Sequence, residues 1–157
     1  MNPPLQLETV FTALDPQLGT MGDTIWTVYG AFQDRPRKDE CFMLKFYRNG
    51  LPLQDTLLYY NIFSDEYLNG QYYLSTISAL NIDRGDSLDV VAYSVTREYY
   101  DWYYSVIKSQ QMPMPFIGSP PANAFGNVDG GSMGFFLASS VSKQSCRVIN
   151  MYDYVEE

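Results

Sequence analysis

The 157-residue sequence contains no histidine. That absence removes His-dependent triads, His-ligated zinc and ordinary imidazole acid–base catalysis together. Cysteine is nearly absent too. Cys41 and Cys146 stand far apart, which excludes a compact CxxC redox or zinc motif. Two readings of them stay open, a pair of buried thiols or a disulfide joining an early strand to a late one. Apolar runs extend only a few residues, so no transmembrane helix is encoded and no membrane insertion is expected. Basic charge is scarce, with 10 Lys and Arg against 18 Asp and Glu and a net charge of −8. Such a balance argues against nucleic-acid binding and against docking on anionic lipid. Hydrophobic residues make up 46% and charged residues 18%, a composition that excludes a disordered acidic tail. The length favours one domain, residues 1–157.

What is present is a succession of short β-branched and aromatic runs separated by turn signals, the pattern of an all-β domain. Leu5, Leu7, Thr9 and Phe11 alternate with polar neighbours before Asp15-Pro16 breaks the run. Residues 25–32 carry apolar side chains on both faces, which suits a central strand. Residues 41–47 form a third strand that ends at Asn49-Gly50, a strong tight-turn pair. Residues 57–62 and 71–77 read as two more. Asp83-Arg84-Gly85-Asp86 is the turn into a long strand over residues 87–95, and residues 133–140 and 146–152 read as the closing pair.

Between them the period changes. Thr96 has the character of an N-cap and Glu98 suits the first turn of a helix. Apolar spacing continues to Gln110, before the Pro-Met-Pro run that disfavours helix. The expected fold is therefore an antiparallel β-sandwich, immunoglobulin-like or related, of seven to nine strands, with one aromatic-rich helix near residues 96–110.

The candidate chemistry is sparse. Asp83 with Asp86, and Asp65 with Glu66, read as turn formers rather than as catalytic pairs. Asp65, Glu66 and Asn69 offer hard oxygen ligands without the spacing of a calcium loop. Gly130-Gly131-Ser132-Met133-Gly134 lacks the helix and histidine of a nucleophile elbow and the lysine of a phosphate loop. No catalytic residue, metal site or cofactor is expected. Tyr99-Tyr100-Asp101-Trp102-Tyr103-Tyr104 is the most distinctive stretch, because six successive helical positions cannot all face one core. One reading packs Tyr100, Tyr103, Tyr104 and Ile107 on the sheet. The other makes Trp102 and Tyr103 a binding platform. Residues 112–132 form a long loop of a length often tied to function. Phe116 is expected to pack beside the helix, and Asn127 to turn the chain toward the closing strand; both join Trp102 and Tyr103 as candidate binding residues.

Gly85-Asp86-Ser87-Leu88, the strand after it, Glu98-Tyr99-Tyr100, Met114-Pro115-Phe116 with Pro120, and Asn127 through Phe136 occur in an order that resembles a family of cell-envelope lipoproteins of Bacteroidetes, a domain of unknown function. The family's Asn-Pro-Phe has Met114 in place of its asparagine. The resemblance implies an outer-membrane lipoprotein, lipid-anchored in its full-length form and surface-facing or periplasmic, often encoded beside a TonB-dependent receptor. It carries over no catalytic residue. Met1-Asn2-Pro3-Pro4 has neither leader features nor a lipobox cysteine, so the expectation is a C-terminal portion of a longer chain. The expected function is a non-catalytic binding or scaffolding module, accessory to a TonB-dependent receptor or nutrient-uptake complex and partnered by that receptor or another envelope protein. The alternative is a carbohydrate- or ligand-binding module that takes a glycan or nutrient on the helix aromatics.

Overall fold

The structure, a computed structural model, describes residues 6–14, 25–33, 36, 40–53, 61–65, 70–111 and 134–150. These form β1 (Gln6–Leu14), β2 (Ile25–Gln33), β3 (Cys41–Arg48), β4 (Leu51–Pro52), β5 (Asn61–Ser64), β6 (Tyr72–Asn81), β7 (Ser87–Val95), α1 (Arg97–Gln111) and β8 (Val141–Arg147). One sheet has the order β1-β2-β6. The other runs β4-β3-β7-β8, with β5 also on β3. Every pairing is antiparallel. The all-β sandwich, with one helix among the described residues, is thus the architecture that forms.

With β4 and β5, both paired to β3, counted as one position, the sets β1-β2-β6 and β3-β7-β8 correspond to A-B-E and C-F-G of an immunoglobulin-like sandwich. One departure matters. In the constant-type plan the strand before E pairs with E, whereas here β5 pairs with β3, through Cys41↔Ser64 to Leu44↔Asn61.

Sheet period explains the layering. Along β3, Phe42, Leu44 and Phe46 point one way and join Leu88, Val90 and Ala92 of β7 against Trp26, Val28 and Phe32 of β2. Cys41 and Met43 point the other way, and with Val95 they pack under Tyr99 and Tyr103 of α1. The β3–β7 pair is therefore buried on both faces, by a sheet on one side and a helix on the other. The two thiols are free. Cys41 belongs to the helix-side cluster and Cys146 packs against the core between the sheets. Burial pushes the Cys146 thiol up to about 11.

Helix α1 begins where the sequence places it. Thr96 Oγ1 accepts from the Tyr99 amide at 3.2 Å, and the Thr96 carbonyl accepts from the Tyr100 amide at 3.0 Å. At the far end of the β3–β7 pair two turns are clipped together. Asn49 (φ 50°) and Gly50 (φ 81°) make the two-residue hairpin between β3 and β4. The Asn49 amide donates to Asp86 at 2.8 Å and its carbonyl oxygen accepts from the Ser87 amide at 2.9 Å. That bond, with the Arg48 guanidinium also present, holds the Asp86 carboxyl below its usual range.

Two sequence expectations are corrected. Leu7, Thr9 and Phe11 do not share a face, because Glu8 is a bulge between Leu7↔Phe32 and Thr9↔Ala31. The extra residue turns Val10 and Thr12 inward, while Phe11 stacks on Tyr29 outside at 5.2 Å. In place of the expected closing pair, the described residues form one strand, β8, over Val141–Arg147, and residues 134–140 and 148–150 have no regular structure; residues 133, 151 and 152 lie outside the described residues. Its inward positions are Ser142, Gln144 and Cys146, opposite Ala92, Val90 and Leu88. Polar inward residues hide such a strand from a hydrophobic pattern.

Those polar residues close one side of the sandwich. Gln144 Nε2 donates to the Leu7 carbonyl at 3.0 Å, beside the bulge. Thr12 Oγ1 donates to the Ile149 carbonyl at 2.8 Å and accepts from its amide at 3.2 Å. Thr12 is only 1% exposed. Thr12→Val keeps the shape and strands both Ile149 groups, so it should cost about 1–3 kcal/mol. The check is a lowered melting temperature with an unchanged fold by circular dichroism; an unaltered melt would show that this clasp contributes nothing.

Candidate functional site

On the opposite side of the sandwich, no such clasp joins the described residues. Between β5 and β6 lies an apolar cleft of about 340 Å³. Phe32 and Leu44 form its floor, Asn61, Phe63 and Ser64 one wall, and Tyr73, Ser75, Thr76 and Ile77 the other. Phe32 faces Tyr73 across the β2–β6 ladder with nearly parallel rings, 6.1 Å between centroids and 12° between planes. Phe63 leans over both Phe32 and Phe42, at 6.1 and 5.6 Å. None of the described lining residues is charged, and they are largely apolar and aromatic.

The hollow has a sequence cause. The inward row of β6 reads Tyr73, Ser75, Ile77, and Ser75 pairs with Gly30. The small Ser75 leaves space in the β6 wall of the cleft. Gly30 opposite it makes room for a neighbour instead, since a Cβ there would lie 3.1 Å from the Ile77 side chain. Ile77 itself is a bulge, because Val28 pairs with Ser78 and Tyr29 with Thr76. The Asn61 side-chain amide donates to the freed Ile77 carbonyl, and that bond tethers the start of β5 to the middle of β6. The cleft is therefore a slot between two strand edges, joined at one point among the described residues.

The charged groups that drew attention in the sequence lie elsewhere. Asp83 and Asp86 pair with Arg48 at the turn end of the second sheet. Asp89 is held below the usual carboxylate range by Lys143, 2.8 Å away, and by the Ser145 hydroxyl. Asp65 is buried and accepts from the Glu40 amide at 3.0 Å, pinning the end of β5 to the start of β3. Glu66 and Asn69 lie outside the described residues. Among the described residues no three acidic or sulfur ligands gather as a metal group would require.

The aromatic helix divides its rings between inside and outside. Tyr103 is 1% exposed, and Tyr99 is buried with its hydroxyl donating to the Met43 sulfur at 3.7 Å. Trp102 is half-buried and fills the margin of the helix-side cluster, with its ring 5.4 Å from Tyr99 and 5.7 Å from Phe135. The packed face is thus Tyr99 and Tyr103, one turn apart, with Tyr100 and Ile107 partly buried beside them. Tyr104, expected on the sheet, is 37% exposed. It sits 4.7 Å from Tyr100 and, with Asp101 and Ser105, lines a shallow surface depression. Burial, followed by the Tyr104 hydroxyl, raises the Tyr100 phenol. Phe116 and Asn127, the other two candidates, lie outside the described residues, as does the loop over residues 112–132. The cleft was missed in the sequence, although the small Ser75 within an aromatic strand is its visible mark.

Fold and cleft together define an immunoglobulin-like sandwich, backed by a helix, clasped along one pair of edges and carrying a cleft between the described residues of the other pair. The chain belongs to the family described as "Domain of unknown function (DUF4249)", whose match covers residues 20–145. That span extends well upstream of residues 83–139, where the motif resemblance lies. No curated protein and no solved structure matches the chain.

The tether at the Ile77 bulge is testable alone. Asn61→Ala removes one hydrogen bond to a part-buried carbonyl, an effect of about 1 kcal/mol. Thermal unfolding should shift down by a few degrees; an unshifted midpoint would show that β5 and β6 are held by packing alone.

Proposed function

We propose that this domain is a non-catalytic binding module that takes its ligand or partner at the cleft side of the sandwich. The observation that carries the reading is the cleft itself, largely apolar and walled by Phe32, Phe63 and Tyr73. Sites of this size and lining recur where proteins hold small apolar ligands or the anchoring side chains of partners. The carboxylates that an enzyme would need support the same reading from the other direction, because Asp83, Asp86 and Asp89 are engaged by Arg48, Asn49, Lys143 and Ser145.

The setting we propose is the cell envelope of Bacteroidetes. The domain would belong to an outer-membrane lipoprotein, surface-facing or periplasmic, accessory to a TonB-dependent receptor or nutrient-uptake complex. Family membership and the motif order from Gly85 to Phe136 support this setting, and the fold supports a binding rather than a membrane-crossing role for these residues. Among the described residues no helix is long and apolar enough to cross a membrane.

A second reading has an observation of its own. Tyr100 and Tyr104 present adjacent rings beside Asp101 and Ser105 at the surface of α1. Aromatic faces beside a carboxylate suit a sugar ring, whose apolar face stacks while its hydroxyls bond. This shelf takes over the glycan role that the sequence assigns to Trp102 and Tyr103.

Titration with N-phenyl-1-naphthylamine, a neutral probe that fluoresces in apolar surroundings, separates the two. The cleft reading predicts saturable enhancement that Ser75→Trp abolishes and Tyr104→Ala leaves intact, with both variants melting as the parent does. Enhancement that ignores Ser75→Trp, or none at all, contradicts it. Retardation on immobilised glycan that Tyr104→Ala removes would favour the helix shelf.

A further inference from the structure

The sequence holds two Asn-Gly pairs, Asn49-Gly50 and Asn69-Gly70. Asn69 lies outside the described residues, and Asn49-Gly50 forms the tip of the β3–β4 hairpin. Such pairs are chemically fragile. Glycine has no Cβ to keep its amide nitrogen away from the preceding carboxamide. That nitrogen can attack Cγ of the asparagine, closing a succinimide ring and expelling Nδ2 as ammonia. Water then opens the ring at either carbonyl. In balance, one asparagine and one water become one aspartate, or its β-linked isomer, and one ammonia.

Asn49 and Gly50 are both exposed, and a Cβ built on Gly50 would meet nothing within 4 Å. Access alone would make this a fast site. The carboxamide is nevertheless held at both of its atoms. Nδ2 donates to Asp86 Oδ1 at 2.8 Å, and Oδ1 accepts from the Ser87 amide at 2.9 Å. The Asn49 backbone amide donates to the Ser87 carbonyl at 2.9 Å as well. These bonds hold a side chain that must swing toward Gly50 before the ring can close. Asp86 is itself anchored, with Arg48 Nε at 2.6 Å and the Asp83 amide donating at 2.9 Å.

The same bonds set the consequence of reaction. The donor to Asp86 is the group that leaves as ammonia. A carboxylate oxygen replaces it, so two negative oxygens would meet where an N–H now bridges. The β-linked isomer also lengthens the main chain inside a tight hairpin turn.

We infer that Asn49 is a site of spontaneous deamidation, held shut by its clip to Asp86 and Ser87, whose conversion permanently unfastens the β3–β4 hairpin from the turn before β7. Each local opening of the clip exposes the pair to reaction, and each reaction removes the clip from further use. The inference is independent of the cleft, which lies between β5 and β6.

The test incubates the purified protein in warm, mildly alkaline buffer beside the peptide Tyr-Arg-Asn-Gly-Leu-Pro. Mass spectrometry of proteolytic fragments follows the conversion of Asn49 separately from that of Asn69. The folded protein should convert at Asn49 about tenfold or more slowly than the peptide, and Asp86→Ala should recover most of that factor. Conversion at the rate of the peptide would overturn the gate. So would a rate unmoved by Asp86→Ala or, where that variant does not fold, unmoved by urea up to the unfolding transition. Asn49→Asp installs the product directly, and its melting midpoint should fall by a few degrees; an unchanged midpoint would overturn the unfastening.

Discussion

The pairing of β3 with β7 is the constraint from which the rest of the structure follows. Two strands with apolar residues on both faces cannot be satisfied by a second sheet alone. Phe42, Leu44, Phe46, Leu88, Val90 and Ala92 demand one cover, and Cys41, Met43 and Val95 demand another. The first is met by β2 with its neighbours, the second by α1. That is why a single helix, started by Thr96 directly after β7, is so rich in tyrosine. Its inner face must bury large rings against a sheet, while its outer face remains wet, and tyrosine serves both sides.

The second consequence concerns the edges. A sandwich of two open sheets has two long sides, and this chain treats them differently. Along β1 and β8, polar side chains inside the sandwich, Gln144 and Thr12, bond to backbone groups across the gap. Along β5 and β6, among the described residues, one amide at a bulge does the joining, and the small Ser75 lines a cleft where the other side has a clasp. The Glu8 bulge and the Ile77 bulge play matching parts. Each interrupts a ladder of β2 and frees a group at the boundary between the sheets, one meeting Gln144 beside it and the other Asn61. Function, on this account, belongs to the side that carries the cleft.

How much of this was legible in the sequence depends on the kind of signal each element carries. The Asn49-Gly50 turn, the Thr96 cap and the long alternation of β7 are local, and each is found where propensity places it. β8 was not legible, because its inward residues are serine, glutamine and cysteine, chosen for the edge they close rather than for hydrophobic burial. The phase of β1 was misread for a related reason: a bulge is invisible to period-two counting and reverses every side chain after it. The helix lies where the sequence places it, and of the rings read as packed on the sheet only Tyr104 turns outward, since Tyr100, Tyr103 and Tyr104 are alike in sequence and differ only in what lies opposite. The cleft was legible only through an absence, the missing bulk at Ser75, and its place follows from β5 joining β3 rather than β6. No local pattern encodes that choice.

The most direct measurement of the central claim is residue-resolved amide hydrogen exchange of the free domain. The account predicts slow exchange throughout β2 and β7, and an alternating pattern in β6 from Tyr72 to Thr76, with inward amides protected by β2 and outward amides exchanging near the rate of an open chain. Uniform protection along β6 equal to that of β2 would mean that its outer edge is already covered. The sandwich with β6 as an edge strand would then be the wrong description of this fold.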